Sequence, residues 1–120
     1  ATKPRVARKY APFLAPLQMK RDELLAHLRD YRLAMIAERT PDDSYALASR
    51  QLLEDLTVGA LQREQKLLRE VEAALERLED GAFGVCEACE EKILKRRLQA
   101  IPWTRLCREC AERTQANLNN

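Results

Sequence analysis

From Leu14 onward, apolar residues recur at spacings of three, four or seven: Leu14, Leu17, Leu24, Leu28, Tyr31 and Met35, with Arg21 filling the one gap. This alternation is the seam of a coiled coil, and the aliphatic stem of Arg21 can cover the seam while its charge stays in water. The pattern predicts a helix over about Ala15 to Arg39. It stops at Thr40-Pro41-Asp42-Asp43-Ser44, where proline cannot continue a helix and Asp43 or Ser44 can cap a new one. A second stripe follows, Leu53, Leu56, Ala60, Leu67, Val71, Ala74 and Leu78, which passes over the charged Arg63 and Glu64. It predicts a helix from about Ser44 to Glu79, ended by the Gly81-Ala82-Phe83-Gly84 break. Two stripes joined by so short a connection bury each other as an antiparallel pair. The alternative is that the helices separate and pair with those of another chain, which the tight connection disfavours.

After Gly84 the character changes to cysteines, a basic run and Pro102-Trp103, with a last short helix expected from about Leu106 to Asn117. The domain layout is then a basic flexible segment over 1–13, a coiled-coil hairpin over 14–80 with its tip near 40–48, and a small finger with a C-terminal helix over 81–120. The fold class is mainly α: a long antiparallel coiled-coil hairpin plus a small four-cysteine finger and a short C-terminal helix.

Composition supports this picture. Charged residues make up 33% of the 120-residue chain and aromatic residues only 5%, a balance suited to long solvated helices. Twenty-one basic and nineteen acidic residues leave a net charge of +2, which gives no strong field for wrapping nucleic acid. No apolar run reaches the ~18 residues that span a bilayer, and the basic start ATKPRVARKY has no secretory apolar region. A cytoplasmic, reducing compartment is expected, with no membrane association.

The sharpest chemistry is the cysteine spacing. Cys86, Cys89, Cys107 and Cys110 read C-x2-C-x17-C-x2-C, the spacing of a four-cysteine zinc site. Each C-x2-C turn brings two sulfurs to one point, and two turns complete the tetrahedron that zinc prefers. Four thiolates leave no open position for water or substrate, so one structural zinc ion is expected, against redox dithiol or disulfide readings. Phe83, Leu98, Ile101 and Trp103 are expected to pack the finger onto the helix bases. Lys92, Lys95, Arg96 and Arg97 form the densest basic run. They read either as a contact surface for a protein or for nucleic-acid phosphate, or as a solvated face balanced by Glu87, Glu90 and Glu91. His27 has no second ligand at a metal-binding spacing and reads as a solvated helix residue. No nucleophile–base or paired-carboxylate arrangement is present, so no enzymatic activity is expected.

Asp80-Gly81-Ala82-Phe83-Gly84-Val85-Cys86-Glu87-Ala88-Cys89, then Arg96-Arg97-Leu98 and Pro102, then Leu106-Cys107 and Cys110, resemble the DksA/TraR zinc-finger family of bacterial proteins. The likeness runs without gaps from about Asp42 to Cys110. It implies a globular base and a protruding coiled coil that enters the secondary channel of RNA polymerase, with an acidic tip near the catalytic centre. The partner implied is therefore bacterial RNA polymerase, bound by a monomer without sequence-specific DNA contacts. The alternatives from the residues alone are a zinc-ribbon nucleic-acid module or a structural adaptor.

Two departures from the family pattern bear on activity. The family tip reads Asp-x-x-Asp-x-Ala, and its counterpart here is Asp43-Ser44-Tyr45-Ala46-Leu47-Ala48. Asp43 and Ala48 keep the pattern, Ala46 replaces the second aspartate, and Asp42 adds a carboxylate beside it. Asp42 and Asp43 read equally well as helix caps. The resemblance also places Glu70, Ile101 and Ala111 where members that respond to the alarmone ppGpp carry basic residues, so no ppGpp response is expected. Glu90 stands where the family usually has glycine, which puts a side chain in a left-handed turn at about 1 kcal/mol.

Overall fold

The computed structural model describes residues 6–37 and 44–119, with the backbone alone for residues 37, 44–53, 56 and 119. A 3-10 helix, Arg8–Phe13, leads into α1 (Leu14–Ala37). It is followed by α2 (Ser44–Asp80), α3 (Lys95–Ala100) and α4 (Arg108–Asn119). The only pairing of extended backbone among the described residues is an isolated antiparallel bridge between Val85 and Lys92. No helix among them is long and apolar enough to cross a membrane. The fold is mainly helical, an antiparallel coiled-coil hairpin of α1 and α2 with a small finger after it.

The chain divides into two compact units. One unit spans residues 21–69, the distal parts of α1 and α2. Its core follows the predicted seam: Leu24 and Leu28 are buried on α1, with Ala60 and Leu67 half-buried on α2. The second stripe had passed over Glu64, yet Glu64 occupies the seam between Ala60 and Leu67, with 24% of its side chain exposed. Its Oε1 lies 3.6 Å from His27 Nδ1, and its Oε2 is buried without a hydrogen-bond partner. A lone carboxylate in an apolar seam destabilises every register except the one that gives it a partner. His27 is an exposed helix residue, as expected, and it lies at the edge of the seam next to Glu64.

The other unit takes the described residues up to Lys20 and from Glu70 onward. Phe13, Leu17, Val71, Ala74, Leu78, Phe83, Ile93 and Leu98 are among its buried apolar residues. The helix end falls where the glycine break predicts it. Gly81 has φ 79°, and the Ala82 N–H donates back to the Arg77 carbonyl at 2.9 Å. This is the six-to-one bond of a Schellman cap.

Residues 1–13 were expected to form a basic flexible segment, but residues 8–13 are folded. Phe13 is 8% exposed, and the Tyr10 and Phe13 rings lie 5.1 and 5.3 Å from the Phe83 ring. Three aromatic side chains meeting edge-on (Tyr10 on Phe83) or tilted (the other two pairs) gain both area burial and quadrupole complementarity, which holds the segment to the finger.

Candidate metal centre

The first cysteine pair sits in a tight turn fixed entirely by backbone. The Cys86 N–H donates to the Glu91 carbonyl, the Glu90 N–H to the Cys86 carbonyl, and the Ile93 N–H to the Gly84 carbonyl, at 2.9, 2.9 and 2.8 Å. Glu90 has φ 64°, so the left-handed turn expected from the glycine it replaces is kept. The second pair lies at the entrance to α4. The Cys110 N–H points at the Cys107 sulfur at 3.5 Å, and the Ala111 N–H donates to the Cys107 carbonyl at 2.9 Å. Cys107 therefore stands where a helix cap stands, which is why α4 begins at Arg108 and not at Leu106. One backbone bond joins the two turns, Glu87 N–H to the Arg105 carbonyl at 2.9 Å.

The turns bring all four sulfurs within 4.8 Å of one another. All four residues are free thiols, and the Cys89 and Cys107 sulfurs are 3.8 Å apart. A regular tetrahedron with Zn–S bonds of about 2.3 Å has edges of about 3.8 Å, so the fit to zinc needs shifts of under about 1 Å. Cys86 is fully buried, which alone would raise its thiol pKa, but backbone N–H groups of Cys107, Cys89 and Ala88 outweigh burial and bring it down to about 6. The hydrogen bond with Cys107, followed by burial, pushes Cys110 up to about 12. Four thiolates cannot share so small a volume unless a cation neutralises them. The site is therefore built to bind one metal ion.

The loop between α3 and α4 is held by two arginines. Arg77 of α2 donates through Nη2 to the carbonyls of Trp103 and Thr104, each at 3.3 Å. Burial, and then repulsion from Arg105, lowers the Arg77 pKa from an ordinary value so high that the guanidinium stays charged. Arg97 donates through Nε to the Leu106 carbonyl at 2.9 Å and through Nη2 to the Thr104 hydroxyl at 3.3 Å. The Thr104 hydroxyl itself donates to the Leu106 carbonyl at 2.9 Å. These bonds fix the backbone immediately before Cys107.

The basic run does not form one surface. Arg97 is turned into this loop, Arg96 is exposed, and Lys92 and Lys95 border a small cavity with Lys9. Asp42 and Asp43 lie outside the described residues. Ala46 and Ala48 belong to α2, but their side chains also lie outside them. Glu70, Ile101 and Ala111 come together along one groove of about 440 Å³, with Glu87, Arg97, Trp103 and Arg105. In that groove Arg105 is paired with Glu70 at 2.7 Å and with Glu87 at 3.2 Å. Arg77 and Arg105 had no signal in the sequence, because their partners lie in other elements.

Comparison with known proteins agrees with this geometry. A family profile described as "Prokaryotic dksA/traR C4-type zinc finger" matches residues 81–116. The transcription factor DksA2 from Pseudomonas aeruginosa superposes with a TM-score of 0.80 at 34% identity, covering 90% of this chain and 84% of that one. The chain belongs to the DksA/TraR zinc-finger family. A DnaK suppressor protein from Agrobacterium tumefaciens C58 gives a TM-score of 0.58 at 30% identity, covering 93% and 97% of the two chains. In sequence, the chain is 40% identical over 77 residues to an uncharacterized protein of Aquifex aeolicus, 64% of this chain and 53% of that one. It is 46% identical over 48 residues to the RNA polymerase-binding transcription factor DksA of Haemophilus influenzae, 40% of this chain and 33% of that protein. The matched stretches thus span about half and one third of those relatives. As a C4-type DksA/TraR finger, this chain carries its zinc ion structurally, since four cysteines fill every coordination position.

Proposed function

We propose that this DksA/TraR protein is a transcription factor that binds bacterial RNA polymerase through the secondary channel, as a monomer in the cytoplasm. The observation that carries the reading is the four-sulfur finger beside the helical hairpin, in a fold that matches DksA2 over most of both chains. Cys86, Cys89, Cys107 and Cys110 are the zinc ligands, and zinc fixes the finger without taking part in chemistry. Asp42 and Asp43 supply the carboxylates of a reduced acidic tip. Binding rests on the sides of the hairpin and on the base, while the tip sets the effect on initiation.

The groove of Glu70, Ile101 and Ala111 does not respond to ppGpp. An incoming phosphate would meet the Glu70 and Glu87 carboxylates, and the nearby Arg105 is already engaged by both.

Equilibrium binding of the zinc-loaded chain to purified core polymerase tests the reading, together with run-off transcription. The expected result is saturable binding. Asp43→Asn should leave affinity within about threefold, since asparagine caps a helix as well as aspartate, while changing the effect on initiation. Ala46→Asp should strengthen that effect. Absence of polymerase binding would overturn the proposal, and salt-dependent binding of plain DNA in its place would make the finger a nucleic-acid module.

A further inference from the structure

Away from the sulfurs, the docked N-terminal segment and the finger enclose a cavity of about 120 Å³. Its walls are Tyr10, Phe13, Ile93 and Leu98, and Lys9, Lys92 and Lys95 stand around it. Phe13, Ile93 and Leu98 are buried, at 8%, 4% and 1% exposure, so the floor is fixed by core packing and not by mobile surface groups. The three lysines are exposed. Lys9 Nζ lies 5.5 Å from the centre of the Tyr10 ring, and no carboxylate among the described residues pairs with any of the three. Unpaired ammonium groups around a hollow with an apolar floor form a place where one large apolar side chain can enter while neighbouring carboxylates meet the rim.

We infer that this cavity is a docking site for an acidic protein segment that presents one aliphatic side chain between its carboxylates. Charge complementarity commits the occupant to an acidic segment, and a two-fold contact between copies through this patch would bring the same lysines against one another. Nucleic acid fits less well. Phosphates offer nothing to an apolar floor, and the Tyr10, Phe13 and Phe83 rings are engaged edge-on or tilted against one another, leaving no flat platform for a base. The site needs both ends of the unit: Lys9 comes from the segment before α1, and Lys92 and Lys95 come from the finger. This inference is independent of polymerase binding.

The test uses the zinc-loaded full chain and a fluorescein-labelled peptide with one leucine between two runs of aspartate, read by fluorescence anisotropy. The leucine peptide should bind about tenfold more tightly than its alanine counterpart, as expected for burying an aliphatic side chain. The Lys9→Glu/Lys92→Glu/Lys95→Glu variant should lose that binding at unchanged zinc content. A control of equal charge change, Lys66→Glu/Arg69→Glu/Arg113→Glu, should keep the leucine preference. Equal binding of the two peptides, no binding, or equal loss in both variants would overturn the inference. So would tighter binding of a single-stranded oligonucleotide of matched charge.

Discussion

At Gly84 the finger backbone leaves no room for a side chain beneath Tyr10 of the N-terminal segment, and replacing it with alanine tests whether that contact holds the base together. Gly84 has φ +84°, and a Cβ built there would lie 2.5 Å from both Tyr10 Cζ and its hydroxyl oxygen and 2.9 Å from Cε1. Carbon atoms in ordinary contact are separated by about 3.5–4.0 Å, so the Tyr10 ring must withdraw by about 1 Å or more. Gly81 provides the internal reference. Its φ is +79°, but nothing lies within 4 Å of a Cβ placed there. Gly81→Ala should therefore cost only the left-handed backbone, about 1–2 kcal/mol. Gly84→Ala carries the same backbone cost and loses the edge contact of Tyr10 on Phe83, worth about 0.5–1.5 kcal/mol beyond the area it buries. The sum is about 1.5–3.5 kcal/mol. Urea unfolding of the zinc-loaded chain measures both variants, and amide exchange reports whether residues 8–13 have lifted. In a double-mutant cycle, Tyr10→Ala should offset part of the Gly84→Ala loss, because it removes the atoms that clash. If the two glycine variants agree within about 0.5 kcal/mol, or the cycle shows no coupling, Tyr10 does not press on Gly84 and the docking argument fails.

Three further perturbations have definite expected outcomes. Cys107→Ser leaves three thiolates and should weaken zinc binding by more than about tenfold in competition with a chelating dye; retained affinity would mean that the ion does not use Cys107. Calorimetry of core polymerase with and without this protein should show no additional ppGpp binding from its presence, and enhanced binding would overturn the reading of the Glu70 groove. Arg77→Met leaves the Trp103 and Thr104 carbonyls without their donor and should destabilise the finger by about 1–3 kcal/mol, followed by Trp103 fluorescence in urea; a silent substitution would mean that water replaces the guanidinium at no loss.

The parts legible in the sequence are those set by local rules. Cysteine spacing forecast a site whose sulfurs lie within 4.8 Å, because a C-x2-C turn is a local geometry and only the joining of two turns is long-range. Gly81 forecast the end of α2 for the same reason, since a left-handed residue closes a helix wherever it falls. Glu64 misled the seam reading because charge was taken as a sign of exposure, whereas position between Ala60 and Leu67 decides which way a helical side chain points. Tyr10 and Phe13 were unreadable for a different reason: two aromatics in a short segment have no period, and their partner Phe83 lies some seventy residues further on. The helix α3 was missed because six residues, Lys95–Ala100, are too few to show an apolar stripe. Arg97 looked like surface within a run of like charges, but carbonyls of a neighbouring loop claim it.

The arginines of the finger explain why a formal charge count describes this unit poorly. Arg77 and Arg97 are engaged by the carbonyls of Trp103, Thr104 and Leu106, and Arg105 by Glu70 and Glu87. Their guanidiniums suit this work because each presents several donors in one plane, which a lysine ammonium cannot do. The loop they fix leads directly into Cys107, so the second cysteine turn is held by hydrogen bonds from outside the four sulfurs. Zinc affinity and loop stability are then coupled: whatever loosens the loop raises the entropy that must be lost when the four sulfurs converge. The cations that remain unpaired among the described finger residues and its docked segment include Lys9, Lys92, Lys95 and Arg96, and of these the three lysines surround the small cavity over Phe13, Ile93 and Leu98. The arginines nearest the cysteines serve the metal centre, which leaves the lysines as the cations on which the proposed docking site rests.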